Sequence, residues 1–373
     1  MSESPSTEAE LADLVLAAAA EDAPLAVAGG DTRSGLGPPV QAARTIRTTS
    51  LAGITAYEPA EMVMTARAGT PVSEIEATLA EHRQRLLFEP MDHRPLYRTD
   101  GEPTIGGVAA VNATGPRRFV AGAARDAMLG LRFVNGRGEA VQAGGRVMKN
   151  VTGLDLVKLL VGSRGRLGVL SEVTFKVAPA PETVATFALE GLETDDAVRA
   201  LAAAMATSTD VSGAAHMPAE ARTYLRLEGF ETSVGERAAK LAQALAAFGT
   251  LQRIEADPWH GIRDATVFND GSDSPVWRVS VAPSAAPTLL DALGHPPAFL
   301  DWQGGLVWIG ADVDHEILRR EIDVQGGGHA TLVRGPATMR AAIPVFQPPG
   351  PVEAKLIARL RERFDPNGVF AAV

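Results

Sequence analysis

The sequence predicts an α+β fold, and three observations indicate it. Residues Gly144 to Pro179 (GGRVMKNVTGLDLVKLLVGSRGRLGVLSEVTFKVAP) follow the order turn, short helix, glycine loop and strand. Strand and helix patterns then alternate between Val184 and Ile254, in roughly the split β-α-β order of a ferredoxin-like sheet. With 373 residues, 46% of them hydrophobic, the chain is long enough to bury a sizeable core and to form two domains.

The first 180 residues contain both helix and strand patterns. Leu11, Leu14, Val15 and Ala18 follow helical spacing, and the hairpin turn Asn135–Gly138 separates two strands. The predicted helices are 7–20, 72–82 and 154–161, and the predicted strands are 25–28, 45–49, 62–68, 128–134, 139–141 and 169–177.

A domain boundary is predicted at Pro179–Pro181, because two prolines interrupt the pattern there. The last helix, Pro351–Phe364, is amphipathic and is expected to turn Leu356, Ile357 and Leu360 inward. Between these points the predicted strands are 184–189, 212–216, 223–229, 251–254, 276–281, 298–303, 306–309 and 329–334, and the predicted helices are 194–206, 234–248 and 315–324.

Two glycine-rich stretches are candidates for binding a ligand through the backbone. In Gly29–Gly35, paired glycines and short polar residues allow consecutive N–H groups to turn toward one anion, such as a pyrophosphate. An ordinary polar turn has the same pattern and is commoner, and the spacing is not G-x-G-x-x-G. In Thr104–Gly115, the amides of Gly106 and Gly107 are phosphate-binding candidates, and a tightly packed helix of small residues is the equal alternative. Gly168, before a strand, is expected to leave room for a flat ligand.

Composition excludes several classes of function. A net charge of −10 argues against a nucleic-acid partner. The absence of cysteine excludes disulfides, thiolate catalysis, a cysteinyl bond to a cofactor and cysteine ligation of an iron–sulfur cluster by this chain. The apolar run Leu14–Ala20 is flanked by acidic residues, so neither a signal peptide nor a membrane span is expected, and the product should be soluble or peripherally attached.

Six segments together carry a resemblance to a known family. They are AGGDTRSGLG (28–37), TIGGVAAVNATGPRR (104–118), GPRRFVAGAARDAMLG (115–130), VMKNVTGLDLVKLLVGSRGRLGVLSEV (147–173), GGHATLVRG (327–335) and RFDPNGVF (363–370). The chain resembles the vanillyl-alcohol-oxidase superfamily of flavoproteins and, within it, the smaller FAD-binding subunits of bacterial glycolate oxidases. The resemblance implies a PCMH-type FAD-binding domain of two subdomains over 1–180, a smaller ferredoxin-like α+β cap over 181–334, which serves the substrate or an interface, and a segment, 335–373, that packs back on the FAD domain.

The resemblance also implies the cofactor, FAD. Its attachment should be non-covalent, since the chain has no cysteine and the 29–37 loop has no histidine. Arg166 stands where the family more often has a small hydroxyl residue, and it is expected to favour an anionic flavin or to change the packing. The cofactor-binding residues assigned in this way are Gly29, Gly30, Asp31, Thr32, Arg33, Ser34, Thr104, Gly106, Gly107, Asn112, Gly115, Gly168 and Val169.

Catalytic residues are harder to assign. The larger subunits of the family bind a divalent metal through paired histidines and a glutamate, but this chain has no adjacent His–His pair, so no metal is expected. His93, beside Asp92, is interpreted as an ordinary loop histidine. His329, which follows three glycines, and Arg334 are the candidates for lining a substrate pocket.

The implied function is that of the FAD-binding subunit of a glycolate oxidase (glycolate dehydrogenase) complex, which oxidises glycolate to glyoxylate and passes electrons to a partner. The implied partners are a larger FAD-linked subunit and an iron–sulfur subunit. The implied location is the cytoplasm, with attachment to the inner face of the cell membrane through those partners. Two alternatives stay open: a self-contained FAD oxidoreductase for another 2-hydroxy acid or an alcohol, and a non-catalytic flavoprotein scaffold.

Overall fold

The computed structural model describes residues 2–145 and 154–371. Residues 146–153, part of the predicted turn before the short helix, lie outside the described residues. The strands are β1 (Ser2–Glu3), β2 (Leu25–Ala28), β3 (Arg44–Arg47), β4 (Ile54–Glu58), β5 (Val63–Arg67), β6 (Gln84–Leu86), β7 (Met128–Val134), β8 (Ala140–Gly144), β9 (Val169–Pro179), β10 (Thr183–Glu190), β11 (Gly213–Met217), β12 (Arg222–Gly229), β13 (Gln252–Ile254), β14 (Val276–Ser280), β15 (Ala298–Asp301), β16 (Leu306–Ile309) and β17 (His329–Arg334). The helices are α1 (Glu8–Ala20), α2 (Val72–Glu81), α3 (Arg94–Tyr97), α4 (Ile105–Val111), α5 (Arg118–Ala121), α6 (Ala124–Ala127), α7 (Leu156–Leu160), α8 (Thr194–Met205), α9 (Glu231–Ala244), α10 (Trp259–Asp264), α11 (Ala286–Ala292), α12 (His315–Val324), α13 (Ala337–Ala342) and α14 (Pro351–Phe364).

Across residues 2–145 and 154–371 the strands form three sheets. A small parallel sheet has the order β1-β3-β2, a six-stranded antiparallel sheet has the order β4-β5-β9-β7-β8 with β6 also paired to β9, and an eight-stranded sheet has the order β13-β10-β12-β11-β15-β16-β14-β17. Each strand predicted from the sequence is present within a few residues of its predicted bounds. The predicted division into domains stays a prediction.

Gly168 directly precedes β9 of the six-stranded sheet. Its φ of +155° favours glycine, and a Cβ there would lie 2.7 Å from Phe133 Cδ2 and 2.8 Å from Val134 O. Atoms of β7 therefore press on the bare backbone at Gly168, and the expected room for a flat ligand beside it stays a prediction. The face of β9 predicted to be buried is buried, because Val173, Phe175 and Val177 pack into a hydrophobic core with residues of α2, α4 and α7.

The C-terminal segment packs back on the first half of the chain. Leu25 N donates to Val369 O (2.8 Å), and the Phe133 and Phe364 rings lie 6.1 Å apart. The predicted helix α14 is present, but the expectation that Leu356 and Ile357 turn inward is wrong: their exposed fractions are 54% and 38%. Leu360 and Phe364 do contact the core of the six-stranded sheet, so only the last turns of α14 lie against it.

The eight-stranded sheet consists of two βαββαβ units. The first unit has strand order β13-β10-β12-β11 and the second β15-β16-β14-β17, which is the same order read in the opposite direction, and the units join at His216 opposite Leu300. The sequence predicted the first unit but only an antiparallel portion for the second. It missed α11, whose seven residues include Pro287 and therefore give a weak helical signal.

An apolar layer lies between the eight-stranded sheet and the first half of the chain. We call it the interface core, and it includes Leu36, Met91, Leu96, Val276, Phe299, Leu306, Trp308 and Val333, with Tyr97, Val111 and Trp302 partly buried against it. The other face of the second unit packs Trp277 and Val279 against α11 and α12. Because side chains alternate along a strand, Arg278 must point toward the interface core.

A buried ion cluster also joins the two halves. Arg85 donates to Glu228 on β12 with two bonds (3.0 and 3.2 Å), and Arg117 Nε lies 3.3 Å from the same carboxylate. Glu89 accepts from Arg226 on β12 (2.8 Å) and from the Arg117 backbone amide (2.7 Å). These contacts fix the sheet against the segments that flank α4.

Glu228→Gln should lower the free energy of unfolding by about 3 kcal/mol at pH 7, because it leaves buried arginine charge uncompensated. Urea unfolding measures this change in the free energy of unfolding. Burial raises the pKa of Glu228, but the Arg85 hydrogen bonds and the charges of Arg226 and Arg117 outweigh it and hold that pKa below its usual 4.5. The stability that the Glu228 carboxylate contributes is therefore complete above pH 4.5, and it is lost as the pH falls through the lowered pKa of the folded state. The difference in free energy of unfolding between Glu228→Gln and wild type should shrink over that pH range.

The matched control is Glu362→Gln, a change of the same kind on the exposed side of α14, which should stay within about 0.5 kcal/mol of wild type. Equal unfolding midpoints for Glu228→Gln and wild type at pH 7 would contradict the role given to the ion cluster.

Candidate functional site

A cavity of about 390 Å³ lies beside β2, between the 29–36 loop, α4 and the glycine loop before β9. Two of the predicted cofactor-binding residues, Asn112 and Gly115, do not line it. Asn112 ends α4 with a φ of +57°, and its Oδ1 accepts from Arg125 N (2.9 Å), while Gly115 N donates to Glu89 O (2.9 Å). The predicted residues that do line the cavity are Gly29, Gly30, Asp31, Thr32, Arg33, Ser34, Thr104, Gly106, Gly107, Gly168 and Val169.

The 29–34 loop presents backbone donors to this cavity. A Cβ at Gly30 would lie 1.8 Å from Glu102 O, so only glycine allows the loop to pack this closely on the segment before α4. Within the described chain, the amides of residues 30 to 33 make no hydrogen bond. Consecutive amides without a protein partner are the arrangement that binds a phosphate group.

Gly106 and Gly107 do not supply free amides. Gly106 N donates to Ala68 O (2.8 Å), and Gly107 N donates to Thr104 Oγ1 (3.3 Å), which caps α4. The helix of small residues, one of the two alternatives from the sequence, is therefore present. Its small residues let α4 approach Ala68 closely, since a Cβ at Gly106 would lie 2.6 Å from Ala68 Cβ.

The cavity is positively charged although the chain is acidic. The charged residues that line it, among those the structure describes, are Arg33, Arg47, Arg164 and Asp31, and Arg47 pairs with Asp31 at 3.2 Å. Burial lowers the pKa of Arg33 to about 10, partly offset by the Asp92 charge, so Arg33 stays protonated at neutral pH. A surplus of two positive charges matches the two negative charges of a diphosphate.

Arg164 is a cavity residue that the sequence reasoning missed in favour of Arg166. Arg164 has a φ of +55°, lines the cavity, and places its guanidinium carbon 3.5 Å from the centroid of the Phe346 ring. Burial and the Arg166 charge lower its pKa to about 10. Arg166 does not line the cavity and lies 5.7 Å from the same ring centroid. Both arginines stand in one glycine loop, and no sequence pattern distinguishes them.

His93 lies in the loop before α3, as predicted, and it contacts Arg33, which lines the cavity. Its side chain is buried, its Nδ1 lies 3.1 Å from Arg33 Nε, and its ring stacks on Tyr97 with centroids 5.9 Å apart. Burial and the charges of Arg33 and Arg278 hold the pKa of His93 well below 6.5, so the ring is neutral and Nδ1 can accept from Arg33. The sequence around His93 contains no pattern that signals this long-range contact.

The structure places neither His329 nor Arg334 in the lining of the cavity. The Arg334 guanidinium donates to the backbone oxygens of Phe268 (2.8 Å), Ser274 (2.9 Å) and Leu96 (3.4 Å), and Arg334 lines a second cavity, of about 310 Å³. His329 stands at the opposite end of β17, across from Ser280. Within residues 2–145 and 154–371, no group of three His, Cys, Asp or Glu side chains is arranged to hold a metal ion.

Comparison with known proteins finds FAD-binding relatives. The FAD binding domain family matches residues 3–144. Glycolate oxidase subunit GlcE of Escherichia coli (strain K12) is 34% identical over 360 residues, covering 96% of this chain and 95% of that protein. Glycolate oxidase subunit GlcD of Bacillus subtilis (strain 168) is 33% identical over 176 residues, covering 46% of this chain and 35% of that protein.

The fold agrees with a solved structure of p-cresol methylhydroxylase with substrate bound. Its TM-score is 0.72, at 14% identity, covering 99% of this chain and 87% of that one. At this identity the likeness concerns the fold alone, and it confirms the predicted α+β, PCMH-type fold. No helix in the described parts of the chain is both long enough and apolar enough to cross a membrane.

The relationship to GlcE extends over nearly the full length of both proteins and so determines the family. The cavity has free amides and surplus positive charge where a diphosphate would lie, so its residues fit the cofactor that the family match names. The chain belongs to the family of FAD-binding oxidoreductases that includes glycolate oxidase subunit GlcE.

Proposed function

We propose that this chain is the FAD-bearing subunit of a glycolate oxidase complex, which oxidises glycolate to glyoxylate and passes the electrons through flavin to a partner. The observation that carries this proposal is the 34% identity to GlcE over 96% of this chain. The similarity covers the cap and the C-terminal segment as well as the FAD domain. It therefore supports the same role and not only the same fold.

The proposed FAD site follows the chemistry of the cavity. The amides of residues 30 to 33 bind the diphosphate, and Arg33, Arg47 and Arg164 neutralise it. Asn112 and Gly115 act indirectly by fixing the end of α4. The attachment is non-covalent, because the described lining contains no histidine or tyrosine and the chain contains no cysteine.

Bound FAD supplies an acceptor for the hydride that leaves the α-carbon of the hydroxy acid. The chain's own residues hold the cofactor and shield it from water. Leu36, Val111 and Val169 are apolar residues of the cavity lining. Neutral His93 holds Arg33 in place, so the charge faces the diphosphate.

The proposed partners are a larger FAD-linked subunit and an iron–sulfur subunit. The names of GlcE and GlcD, both glycolate oxidase subunits, support an assembly. Cysteine ligands for an iron–sulfur cluster must come from another chain, since this one has none. We place the complex in the cytoplasm, attached through its partners to the inner face of the cell membrane.

Arg33→Met and Arg164→Met should each weaken FAD binding at least about tenfold, because each removes a charge from beside the diphosphate. Quenching of flavin fluorescence on titration of the apoprotein measures the dissociation constant. Circular dichroism checks that each variant is folded. The control, Arg320→Met, removes an exposed arginine of α12 and should bind FAD like wild type. If both cavity variants retain wild-type affinity, the proposed FAD site is wrong.

Anaerobic glycolate should bleach the visible absorption of this chain's flavin once the larger subunit is present, since the proposed function routes glycolate's electrons through it. The measurement compares the FAD-loaded chain alone with the assembled complex. Bleaching of the chain alone would favour the self-contained oxidoreductase. A flavin that stays oxidised in the complex would contradict the proposed function and favour the scaffold.

A further inference from the structure

Helix α14 (Pro351–Phe364) has little support from the rest of the chain. Every residue from 351 to 359 is exposed, and Val352 has an exposed fraction of 75%. The other described helices of ten or more residues, α1, α2, α8, α9 and α12, each bury two residues or more, whereas α14 buries none. Isolated helices of this length are marginal in water, so contact with another surface would stabilise its first turns.

The apolar face of α14 continues past the turns that the protein core covers. Leu360 and Phe364 pack against the core of the six-stranded sheet. Val352 and Leu356 precede Leu360 at intervals of four residues, so these side chains lie on one face of the helix. Ile357 adjoins them and is exposed as well. We call Val352, Leu356 and Ile357 the α14 ridge, an uncovered extension of the face that anchors the helix.

A row of positive charge runs beside the α14 ridge. Lys355, Arg359 and Arg363 are exposed and follow the same four-residue spacing. Their side chains make no hydrogen bond or ion pair with a residue in the ranges 2–145 and 154–371. Like charges four residues apart repel each other in a helix, so this row destabilises α14 in the free chain. Carboxylates on a second surface would offset the repulsion.

This pattern of charge is unusual within the chain. Exposed arginines elsewhere have acidic partners: Arg199 of α8 pairs with Asp195, and Arg222 of β12 pairs with Glu190. Helix α14 contains more basic than acidic residues, although the net charge of the chain is −10. Unpaired basic side chains beside an apolar ridge are complementary to a groove with an apolar floor and an acidic rim.

Two other occupants fit α14 less well. An antiparallel two-fold pair of α14 helices would bring the basic row of one copy against that of the other, and like charges across an interface repel. A membrane-surface helix commonly buries aromatic side chains, whereas the exposed turns of α14 contain none. A second copy of the chain and a lipid surface are therefore outcomes for the experiment to exclude.

The α14 ridge lies near the cofactor cavity. Phe346, in the segment that leads into α14, contacts Arg164 of the cavity lining. Burial lowers the pKa of Arg166, and the charge of Arg361 on α14 lowers it further. Because Arg164 and Arg166 belong to one glycine loop, a protein docked on α14 would lie beside the loop that borders the cavity.

We propose that the exposed turns of α14 dock in a groove of a partner protein, with an apolar floor for the α14 ridge and carboxylates for the basic row, and that this partner is the larger FAD-linked subunit. A helix that places its apolar face in a groove is a recurrent mode of protein recognition. The identity of the partner rests on the proposed function, whereas the chemistry of the groove rests on α14.

The test is calorimetric titration of the full FAD-loaded chain with the purified larger subunit. Leu356→Asp should weaken binding at least about tenfold, because it places a charge on the apolar floor. Arg359→Glu should weaken binding by about as much at low ionic strength and less at high salt, because it sets a carboxylate against carboxylates. The controls Val324→Asp on α12 and Lys240→Glu on α9 change exposed residues in the same way and should bind like wild type.

Hydrogen exchange gives a second readout within α14 itself. The amides of residues 351 to 360 should exchange rapidly in the free chain, because these turns lack tertiary cover, and at least about tenfold more slowly in the complex. Helix α9, which also has 14 residues, is the reference and should exchange alike in both states. Unchanged exchange in α14 on formation of the complex would overturn the proposal, since docking must cover these turns.

Absence of binding between the wild-type chain and the larger subunit would overturn the proposal, as would wild-type affinity in both α14 variants. Self-association of the free chain that Leu356→Asp abolishes would assign the ridge to a second copy and overturn it. Cosedimentation of wild type, but not of Arg359→Glu, with vesicles of equal parts phosphatidylglycerol and phosphatidylcholine would assign the ridge to a lipid surface, with the same consequence.

Failure of the docking site is distinguishable from failure of the proposed function. Both α14 variants should bind FAD like wild type, since neither residue lines the cavity, and this affinity also checks that they fold. If the variants lose the larger subunit while the wild-type complex does not oxidise glycolate, the proposed function fails and the docking site stands. If the complex oxidises glycolate and the variants assemble normally, the docking site fails and the function stands.

Discussion

Glu89 joins the eight-stranded sheet to the segment that follows α4. Its carboxylate bonds to Arg226 on the eight-stranded sheet and to the Arg117 amide, and its own carbonyl accepts from Gly115 N and Thr114 Oγ1. The segment after α4 is thereby fixed to the sheet. Because α4 forms one wall of the cavity and Gly115 O accepts from Trp302 Nε1, the same contact positions the cavity relative to the eight-stranded sheet. Removing one partner of these buried ion pairs would leave the others with uncompensated charge, which is strongly unfavourable.

The distribution of charge explains how an acidic chain binds an acidic cofactor. The net charge of −10 is spread over the molecule, but the cavity lining has three arginines to one aspartate in the described residues. Burial lowers the pKa of Arg33 and Arg164 only to about 10, so both remain charged at neutral pH. The local field at the cavity is therefore opposite in sign to that of the whole chain, and it favours a diphosphate over neutral ligands.

Local sequence patterns predicted the local structure, and the parts they missed depend on contacts distant in sequence. The 29–34 loop and the strands of both large sheets follow from glycine placement and hydrophobic alternation, which neighbouring residues determine. The close contacts that require glycine at Gly168 come from Phe133 and Val134, about 35 residues earlier, so the local pattern did not reveal them. His93 gave no signal at all, since its partner, Arg33, lies 60 residues away in the sequence. The second βαββαβ unit was missed because α11 is short and contains proline.

The central claim is that a diphosphate anchors the cofactor at the 29–34 loop. The most direct measurement compares the dissociation constants of FAD, FMN and riboflavin for the apoprotein at one ionic strength. The account predicts that FAD binds at least about 100-fold more tightly than riboflavin, because riboflavin carries the same ring without the charges that Arg33, Arg47 and Arg164 neutralise. Riboflavin affinity equal to that of FAD would contradict the account, because the ring alone would then provide the binding energy.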